Sequence, residues 1–519
     1  MNAPLDWPLA ALPILVVLVL MLRFRWGGAR AGAVGWTMAL AIAVVRFGAD
    51  ARVLGYAQLK GLLLTLFVLY IIWGALLFYR VTDEAGAVDA IGRALLRLTP
   101  DLGMQALLVG WAFSTFLQGV GGFGVPVAVA APLLIGLGFP PLAAIVIPSM
   151  GHPWAITFGS FGSSFFALMA ATGRSGASLA PWSAAMLGLT CLGCGTATLW
   201  AAGGRRTLGS GLGAMFAIGL AMAGTQYLVV TRGFWSIGAT VAGLVGLAVG
   251  VLWVRWRARD GIPQQQPPVG GSAAQTVSLR WALLPYVLLI GTVFVAELLP
   301  AARAFLGQIV LSVHFPELAT ARGWVTPAEQ GRTINAFGHP GALLVYVSAI
   351  TYGMYKWRGC YTPGSACRIA QGVVHRAARS SLGTAAMVGM AVTMQHAGMT
   401  YLLADGIARV AGPAFPLVAP FIGALGSFIT GSNTNSNVIF GDLQQSVAAL
   451  VGVSPLIILA SQTAGGAIGS AFAPAKIIVG CSTVDADEGP ALQAVMRYGL
   501  AMLGVLALVT GVAVLLSRR

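Results

Sequence analysis

From Leu9 to Leu516 the chain is a succession of apolar runs parted by short polar joints, and that pattern leaves few folds open. Runs near twenty residues match the hydrocarbon thickness of a bilayer. In lipid, backbone N–H and C=O groups have no water to turn to, so such runs fold as helices that pair their own backbone. Only 9% of residues are charged, against about 25% in a soluble domain, which excludes an ordinary soluble globule. The expected fold class is an all-α polytopic membrane protein with about 12–14 transmembrane helices at the usual span length.

Spans are expected at Leu9–Leu22, Ala31–Val45, Leu59–Tyr79, Leu102–Leu117, Val125–Pro148, Trp154–Ala171, Leu179–Ala201, Gly211–Val230 and Ile237–Trp256. After a polar joint come Trp281–Leu299, Gly341–Trp357, Leu382–Leu403, Phe415–Ile429, Val438–Val451, Pro455–Phe472 and Ala491–Leu516. Several are short or interrupted by glycine, the mark of re-entrant arms rather than full crossings. The net charge of +15 does not point to nucleic acid, because the Lys and Arg lie in short clusters between spans. Basic loops of that kind face the cytoplasm. Arg23, Arg25 and Arg30, then Arg205–Arg206, Arg255–Arg280 and Lys356–Arg379 can all do so together. The N-terminus and the mixed-charge stretch Arg303–Gly338, with His314, Glu317 and Glu329, then fall outside. Thr82–Thr99, with acids, Arg and aliphatics at helical spacing, reads as a helix along the cytoplasmic surface. Five scattered cysteines make no disulfide framework. Cys191 and Cys194 read as small packing residues.

The most informative stretch is Gly426–Lys476. An apolar run breaks at Gly431-Ser432-Asn433-Thr434-Asn435-Ser436-Asn437, and a second breaks at Gln462-Thr463-Ala464-Gly465-Gly466. Small and amide side chains compete with the backbone for hydrogen bonds. Irregular backbone at membrane depth is tolerated where it is buried in protein or lines a wet cavity, which is where transporters hold their substrates. The polar linker Asp260–Gln275 nearly bisects the chain, so an internal repeat is expected. Gly119–Gly159 set against Asn433–Ala473 places Gly138 on Gly452, Pro141 on Pro455 and Phe158 on Phe472. The same register places Gly119–Gly124 on Asn433–Val438 and Gly151-His152-Pro153 on Gly465-Gly466-Ala467. Each copy reads break, helix, proline turn, helix, break.

Gly119-x-Gly121-x-x-Gly124 has the dinucleotide-binding spacing but lacks the soluble βαβ setting. It reads instead as a re-entrant tip that offers backbone N–H groups to an anion. Gly173-Arg174-Ser175-Gly176 resembles the surroundings of intramembrane serine nucleophiles, but without a partner His it reads as an inter-helix turn. The amides and hydroxyls of Ser432–Asn437 can donate to a carboxylate and accept from a hydroxyl. His152 is the natural proton carrier, or a histidine satisfied by backbone carbonyls. Lys476 could neutralise a carboxylate, or snorkel to the surface. Asp442 could titrate with a substrate or pair with Lys476. His396, Asp405 and Glu297 read as structural or interfacial.

These residues carry a family resemblance. GGFGVPVAVAAPLLIGLGFPPLAA, GHPWAITFGSFGSSF, SFITGSNTNSNVIFG and QTAGGAIGSAFAPAKIIVGCSTV occur in the order seen in the lactate permease family of bacterial transporters, which the chain resembles over nearly its whole length. The resemblance implies a secondary active transporter, not an enzyme. It would import a small 2-hydroxymonocarboxylate (L-lactate, D-lactate or glycolate) by proton symport across the bacterial inner membrane, with no cofactor and no metal. It also implies the ion-transporter superfamily fold, with two inverted repeats, re-entrant hairpins and broken helices. There a Ser-Asn-Thr tip contacts substrate carboxylates. Ser432-Asn433-Thr434 matches that tip, while the first copy has Gly121-Gly122-Phe123-Gly124 in its place.

The expected organisation is N-terminal helices over 1–101, a first repeat core with following helices over 102–256, a cytoplasmic linker over 257–280, scaffold helices over 281–403, and a second repeat core over 404–519. Substrate would be held by Gln118, Gly121, Gly122, His152, Ser432, Asn433, Thr434, Asn435, Asn437, Gln462 and Lys476, with His152 or Asp442 carrying the proton. The expected partners are the carboxylate, protons and the lipid bilayer, with a homodimer as one assembly open to the chain. A sodium-coupled carboxylate carrier, an anion channel and an intramembrane hydrolase remain as alternative functions.

Overall fold

A computed structural model describes residues 5–24, 26–96, 98–122, 124–258, 277–331, 333–484 and 486–517. The linker Asp260–Gln275, Arg25, Arg259 and Phe123 lie outside the described residues. The chain begins with α1 (Asp6–Leu22), α2 (Gly28–Val45), the 34-residue α3 (Ala51–Glu84) and the short α4 (Ala87–Leu96). Asp50 caps α3 by accepting from the Val53 N–H at 2.7 Å, which satisfies one of the donors that every helix start leaves over. The amphipathic α4 packs its apolar face on α3 and on the helix Leu279–Leu298.

A first unit follows. It comprises α5 (Leu102–Gln105), continued by a π-helical stretch Ala106–Phe113 into α6 (Ser114–Val120), then α7 (Val125–Gly136), α8 (Pro141–Gly151), α9 (Ser163–Thr172) and α10 (Gly176–Thr231). At 56 residues α10 would be far longer than a bilayer is thick. It is two spans joined at a kink, where Gly204 takes φ 65°, ψ −139° beside the basic pair Arg205–Arg206. The two expected spans Leu179–Ala201 and Gly211–Val230 lie on either side.

The middle of the chain holds α11 (Gly238–Ala258), α12 (Leu279–Leu298), α13 (Pro300–Leu306), α14 (Pro340–Trp357), α15 (Ser365–His396) and α16 (Met399–Ala411). Leu382–Leu403, expected as one span, is divided between α15 and α16 by Gly398 at φ 78°. Between α13 and α14 the chain makes one long, interrupted antiparallel hairpin. Its strands are β1 (Val310–Leu311), β2 (His314–Phe315), β3 (Leu318–Ala319), β4 (Val325–Thr326), β5 (Glu329–Gln330) and β6 (Ile334–Asn335), paired β1–β6, β2–β5 and β3–β4. The hairpin docks near the start of α3, where the Ala321 N–H donates to Gly48 O at 2.9 Å. At the other end of α3, Glu84 pairs with Arg368 at 2.7 Å. The hairpin and the Lys356–Arg379 loop thus lie at opposite ends of one long helix, as the charge pattern requires.

A second unit repeats the order of the first: α17 (Phe415–Thr430), α18 (Asn433–Val451), α19 (Pro455–Ala471), α20 (Pro474–Val484) and α21 (Glu488–Ser517). The turn glycines Gly138 and Gly452 both take left-handed φ, 89° and 71°. Pro141 and Pro455 both open the next helix. The packing is reciprocal, since α18 lies on α9 as α7 lies on α20, and α10 and α21 each touch both α8 and α19. Nine stretches among the described residues are long and apolar enough to cross a membrane, and Asp6–Met21 and Val125–Gly136 are shorter apolar helices. The protein is an all-α polytopic membrane protein.

Three local expectations are corrected. Asn433–Asn437 is not a break but the first turns of α18, and the interruption is confined to Gly431 (φ 71°) and the capping Ser432. The amides and hydroxyls there bond to neighbouring helices instead of their own backbone, so they no longer oppose the helix. Gln462–Gly466 is likewise helical, and α19 breaks later, at Phe472–Ala473. Its glycines serve close packing: a Cβ at Gly465 would collide with Pro420 O, and one at Gly469 with Ala424 O, both on α17. The repeat register also shifts at the tips, because α7 has 12 residues and α18 has 19. Gly124, the residue before α7, is therefore the structural counterpart of Ser432, not of Val438.

Candidate functional site

The head of α18 is where the two units meet. Ser432 closes the turn with its Oγ accepting from the Asn435 N–H at 3.4 Å. The N–H groups of Asn433 and Thr434 begin the helix and have no intrahelical acceptor. Side chains then fan out to different neighbours. Asn433 Nδ2 donates to Thr157 Oγ1 at 3.2 Å and to Thr463 Oγ1 at 3.3 Å. Thr434 Oγ1 and Ser164 Oγ lie 3.0 Å apart. Asn435 Oδ1 accepts from Thr384 Oγ1 of α15 at 3.1 Å. Asn437 Nδ2 donates to Ser164 O and to Thr463 Oγ1, both at 2.9 Å. Gln462 Nε2 donates to Ser436 Oγ at 3.0 Å, and its Oε1 accepts from Gln444 Nε2.

Apart from the half-buried Ser432, all of these side chains are buried. Thr463 is the hub: its hydroxyl faces both asparagine amides and lies 3.1 Å from Thr157 Oγ1. Asn433 Oδ1 and Asn437 Oδ1, by contrast, have no hydrogen-bond partner among the described residues. Buried polar atoms are nearly always paired, and Gln444 Oε1, beside Gln462, is a third acceptor left without a partner among the described residues. The cluster itself holds no carboxylate, and the helix N-terminus adds positive potential.

The opposite wall is the break between α8 and α9. His152 ends α8, and the chain then runs through single turns at Pro153–Ala155 and Ser160–Gly162 before α9 begins. Ser160 and Phe161 take φ of 46° and 54°, a region that costs a residue with a side chain of order 1 kcal/mol or more. The first tip presses on this loop. A Cβ at Gly159 would lie 2.7 Å from Gln118 O, and one at Gly122 (φ 59°) would collide with Ser160 Oγ. Only glycine fits at Gly122. Gln118, Gly122 and Ser160 thereby form a second patch, with Gln118 Oε1 buried and unpartnered among the described residues. Gly121 ends α6 against the Tyr79 ring.

His152 is fully buried, its Nδ1 2.7 Å from Pro148 O. Its Nε2 has no partner among the described residues, and the ring is within electrostatic reach of Lys476. Lys476, in the first turn of α20, is part-buried and donates to Ser470 Oγ at 2.5 Å. Among the described residues it enters no ion pair, so of the two readings of Asp442 the pairing with Lys476 is not what this structure shows. Asp442 lies five residues beyond Asn437 on α18, where it accepts from Gln445 Nε2 at 3.0 Å and faces a separate cavity. Of the expected residues, Asn433, Thr434 and Asn437 share one network through Thr157, Ser164 and Thr463. Asn435 joins Ser432 and Thr384, and Gln462 joins Ser436 and Gln444. Gln118 and Gly122 belong to the facing tip, His152 and Lys476 form a third group, and Asp442 stands apart. The residues missed from sequence are Thr157, Ser164, Thr384 and Thr463, all hydroxyls in or next to apolar helices. Thr463, beside Gln462 in a span, was the one visible signal. Ser175 is the exposed N-cap of α10 and bonds within its own turn, as expected of a helix connection.

Known proteins resemble this chain over nearly its whole length. An L-lactate permease of Streptococcus iniae is 28% identical over 90% of this chain and 95% of its own. That of Escherichia coli K12 is 27% identical over 93% and 91%, and the E. coli K12 glycolate permease GlcA is 24% identical over 96% and 94%. Among solved structures, the Alcanivorax borkumensis YdaH transporter aligns over 97% of this chain and 98% of its own, at 14% identity and a TM-score of 0.49. The L-lactate permease family pattern runs from residue 6 to residue 517 without leaving either unit out, and the chain belongs to that family.

Proposed function

We propose that the protein is a secondary active transporter that imports a small 2-hydroxymonocarboxylate, with L-lactate as the leading substrate, by proton symport across the bacterial inner membrane. The observation that carries this reading is the buried, carboxylate-free cluster at the head of α18, with Asn433 Oδ1 and Asn437 Oδ1 unpaired among the described residues. A 2-hydroxy acid supplies what such a cluster wants. Its carboxylate takes the N–H groups of Asn433 and Thr434 at a helix N-terminus, and its hydroxyl donates to an asparagine oxygen. Relatives named for lactate and for glycolate agree with a 2-hydroxy acid.

Lys476 and the first tip, Gln118 with Gly121 and Gly122, complete the site from the other side. His152, buried in the break beside Lys476, and Asp442, further along α18, are the two groups that could carry the proton. An anion moving with one proton is neutral, which removes a cost of about 2.3 kcal/mol per charge per 100 mV of membrane potential. The reciprocal packing of α7 on α20 and α9 on α18 suits alternating access, in which one side of the cluster opens as the other closes.

The test is uptake of labelled L-lactate into proteoliposomes with proton and sodium gradients imposed separately. An inward proton gradient should drive accumulation in the absence of sodium. Accumulation that follows sodium alone would replace proton symport with sodium coupling. Flux that only equilibrates the substrate under either gradient would mark a channel.

A further inference from the structure

Outside the cluster lies a cavity of about 820 Å³. Its walls are α3 with Lys60 and Phe67, α9 with Phe166 and Thr172, α18 with Asp442 and Gln445, and the β-hairpin with Thr326 and Glu329. The cavity and the cluster share two helices that touch each other, α9 and α18. On both, the cluster residues come first and the cavity residues follow: Ser164 then Phe166, Asn437 then Asp442. Five residues of helix separate Asn437 from Asp442, roughly 7.5 Å. Phe67 and Phe166 stack edge to face at 5.9 Å on the cavity wall near this junction.

The charges in this cavity are arranged unequally. Lys60 Nζ holds Glu329 Oε1 at 2.5 Å and Gln395 Oε1 at 3.4 Å. The lysine side chain is 19% exposed and comes from the long helix α3, while the glutamate is 41% exposed and comes from a two-residue strand. The fixed partner is therefore the cation and the displaceable one is the carboxylate. Thr326 Oγ1, buried on the same wall, has no partner among the described residues, and Asp442, a second carboxylate on the cavity wall, shares Gln395 with Lys60.

We propose that this cavity is an antechamber that captures a small monocarboxylate at Lys60, the incoming anion taking the place of Glu329 before it passes between Phe67 and Phe166 to the head of α18. Glu329 is then a built-in competitor that keeps Lys60 paired when no substrate is there. The entry site rests on the transport reading above, yet it makes predictions that a merely structural Lys60–Glu329 latch does not. A latch is weakened alike from either side. A competitor and its cation respond in opposite directions.

The experiment measures L-lactate uptake kinetics in proteoliposomes of the full chain for wild type, Lys60→Gln and Glu329→Gln. Lys60→Gln should raise KM about tenfold with the maximal rate within twofold of wild type. Glu329→Gln should lower KM severalfold. Lys60→Arg should stay close to wild type. If Lys60→Gln does not reach the membrane, the fall in KM for Glu329→Gln decides alone. KM values that rise in both Gln variants, or that stay within twofold of wild type in both, would overturn the antechamber. Absence of lactate uptake by the wild type would instead overturn the transport reading itself, so the two failures are distinguishable.

Discussion

Thr463→Val deletes one hydroxyl from the centre of the cluster and changes little else in volume. In the wild type that hydroxyl takes contacts from Asn433 Nδ2 at 3.3 Å and Asn437 Nδ2 at 2.9 Å. Each amide keeps a second acceptor, Thr157 Oγ1 or Ser164 O, so neither is left orphaned. Thr157 Oγ1 also loses its 3.1 Å contact with the hydroxyl but keeps Thr463 O as an acceptor, so the uncompensated loss is the two amide hydrogen bonds, about 1 kcal/mol each, or about 2 kcal/mol together. Both bonds fix the orientation of the asparagine amides, and substrate must then supply the orientation that Thr463 supplied before. Converted at about 1.4 kcal/mol per tenfold, KM for L-lactate should rise roughly 30-fold. Thr463→Ser keeps the hydroxyl and should stay within a few-fold of wild type. The assay is initial-rate uptake in proteoliposomes, with thermal unfolding in detergent as a check on folding. A Val variant that folds and keeps the wild-type KM would refute the assignment of Thr463 as the hub, and with it the claim that Asn433 and Asn437 act as a pair.

Three further outcomes follow from the same geometry. Gly466→Ala should cut uptake at least tenfold while leaving the fold intact, because its Cβ meets the Asn433 side chain; Gly465→Ala should lower the unfolding temperature instead, because its Cβ meets the α17 backbone. Gly204→Ala should destabilise the protein by about 1–3 kcal/mol, since φ 65°, ψ −139° is open only to glycine; an unchanged melting temperature would mean that the α10 kink relaxes freely. His152→Gln and Asp442→Asn should part company in counterflow exchange, which needs no net proton movement. The variant that loses gradient-driven uptake but keeps exchange has lost the proton carrier, and loss of both activities in both variants would assign each residue to binding.

Much of this architecture was legible because it rests on residues with strong local rules. Gly138 and Gly452 punctuate their turns by left-handed φ, and Pro141 and Pro455 start helices where a missing N–H costs nothing. Those four positions revealed the repeat. The composition of the polar run Ser432–Asn437 argued for broken backbone, whereas the structure keeps Asn433–Asn437 helical. Competition between a side chain and its own backbone disappears once Thr157, Ser164, Thr384 and Thr463 offer better partners. Those partners come from three other helices and a loop, and three of the four lie outside the polar run's own unit. No local pattern could couple Thr157 to Asn433 across 276 positions. Gly465 and Gly466 misled in the opposite sense, since glycine that breaks an isolated helix also lets two buried helices touch.

Asn433 Oδ1 and Asn437 Oδ1 are buried without partners among the described residues. Equilibrium binding of L-lactate and of propionate to the purified protein tests directly what they receive, because the two acids share the carboxylate and differ in the hydroxyl. If those oxygens receive the 2-hydroxyl, lactate should bind at least tenfold more tightly than propionate, and Asn433→Leu or Asn437→Leu should narrow that gap. Equal affinity for the two acids in the wild type would contradict the account, for the cluster would then read only a carboxylate.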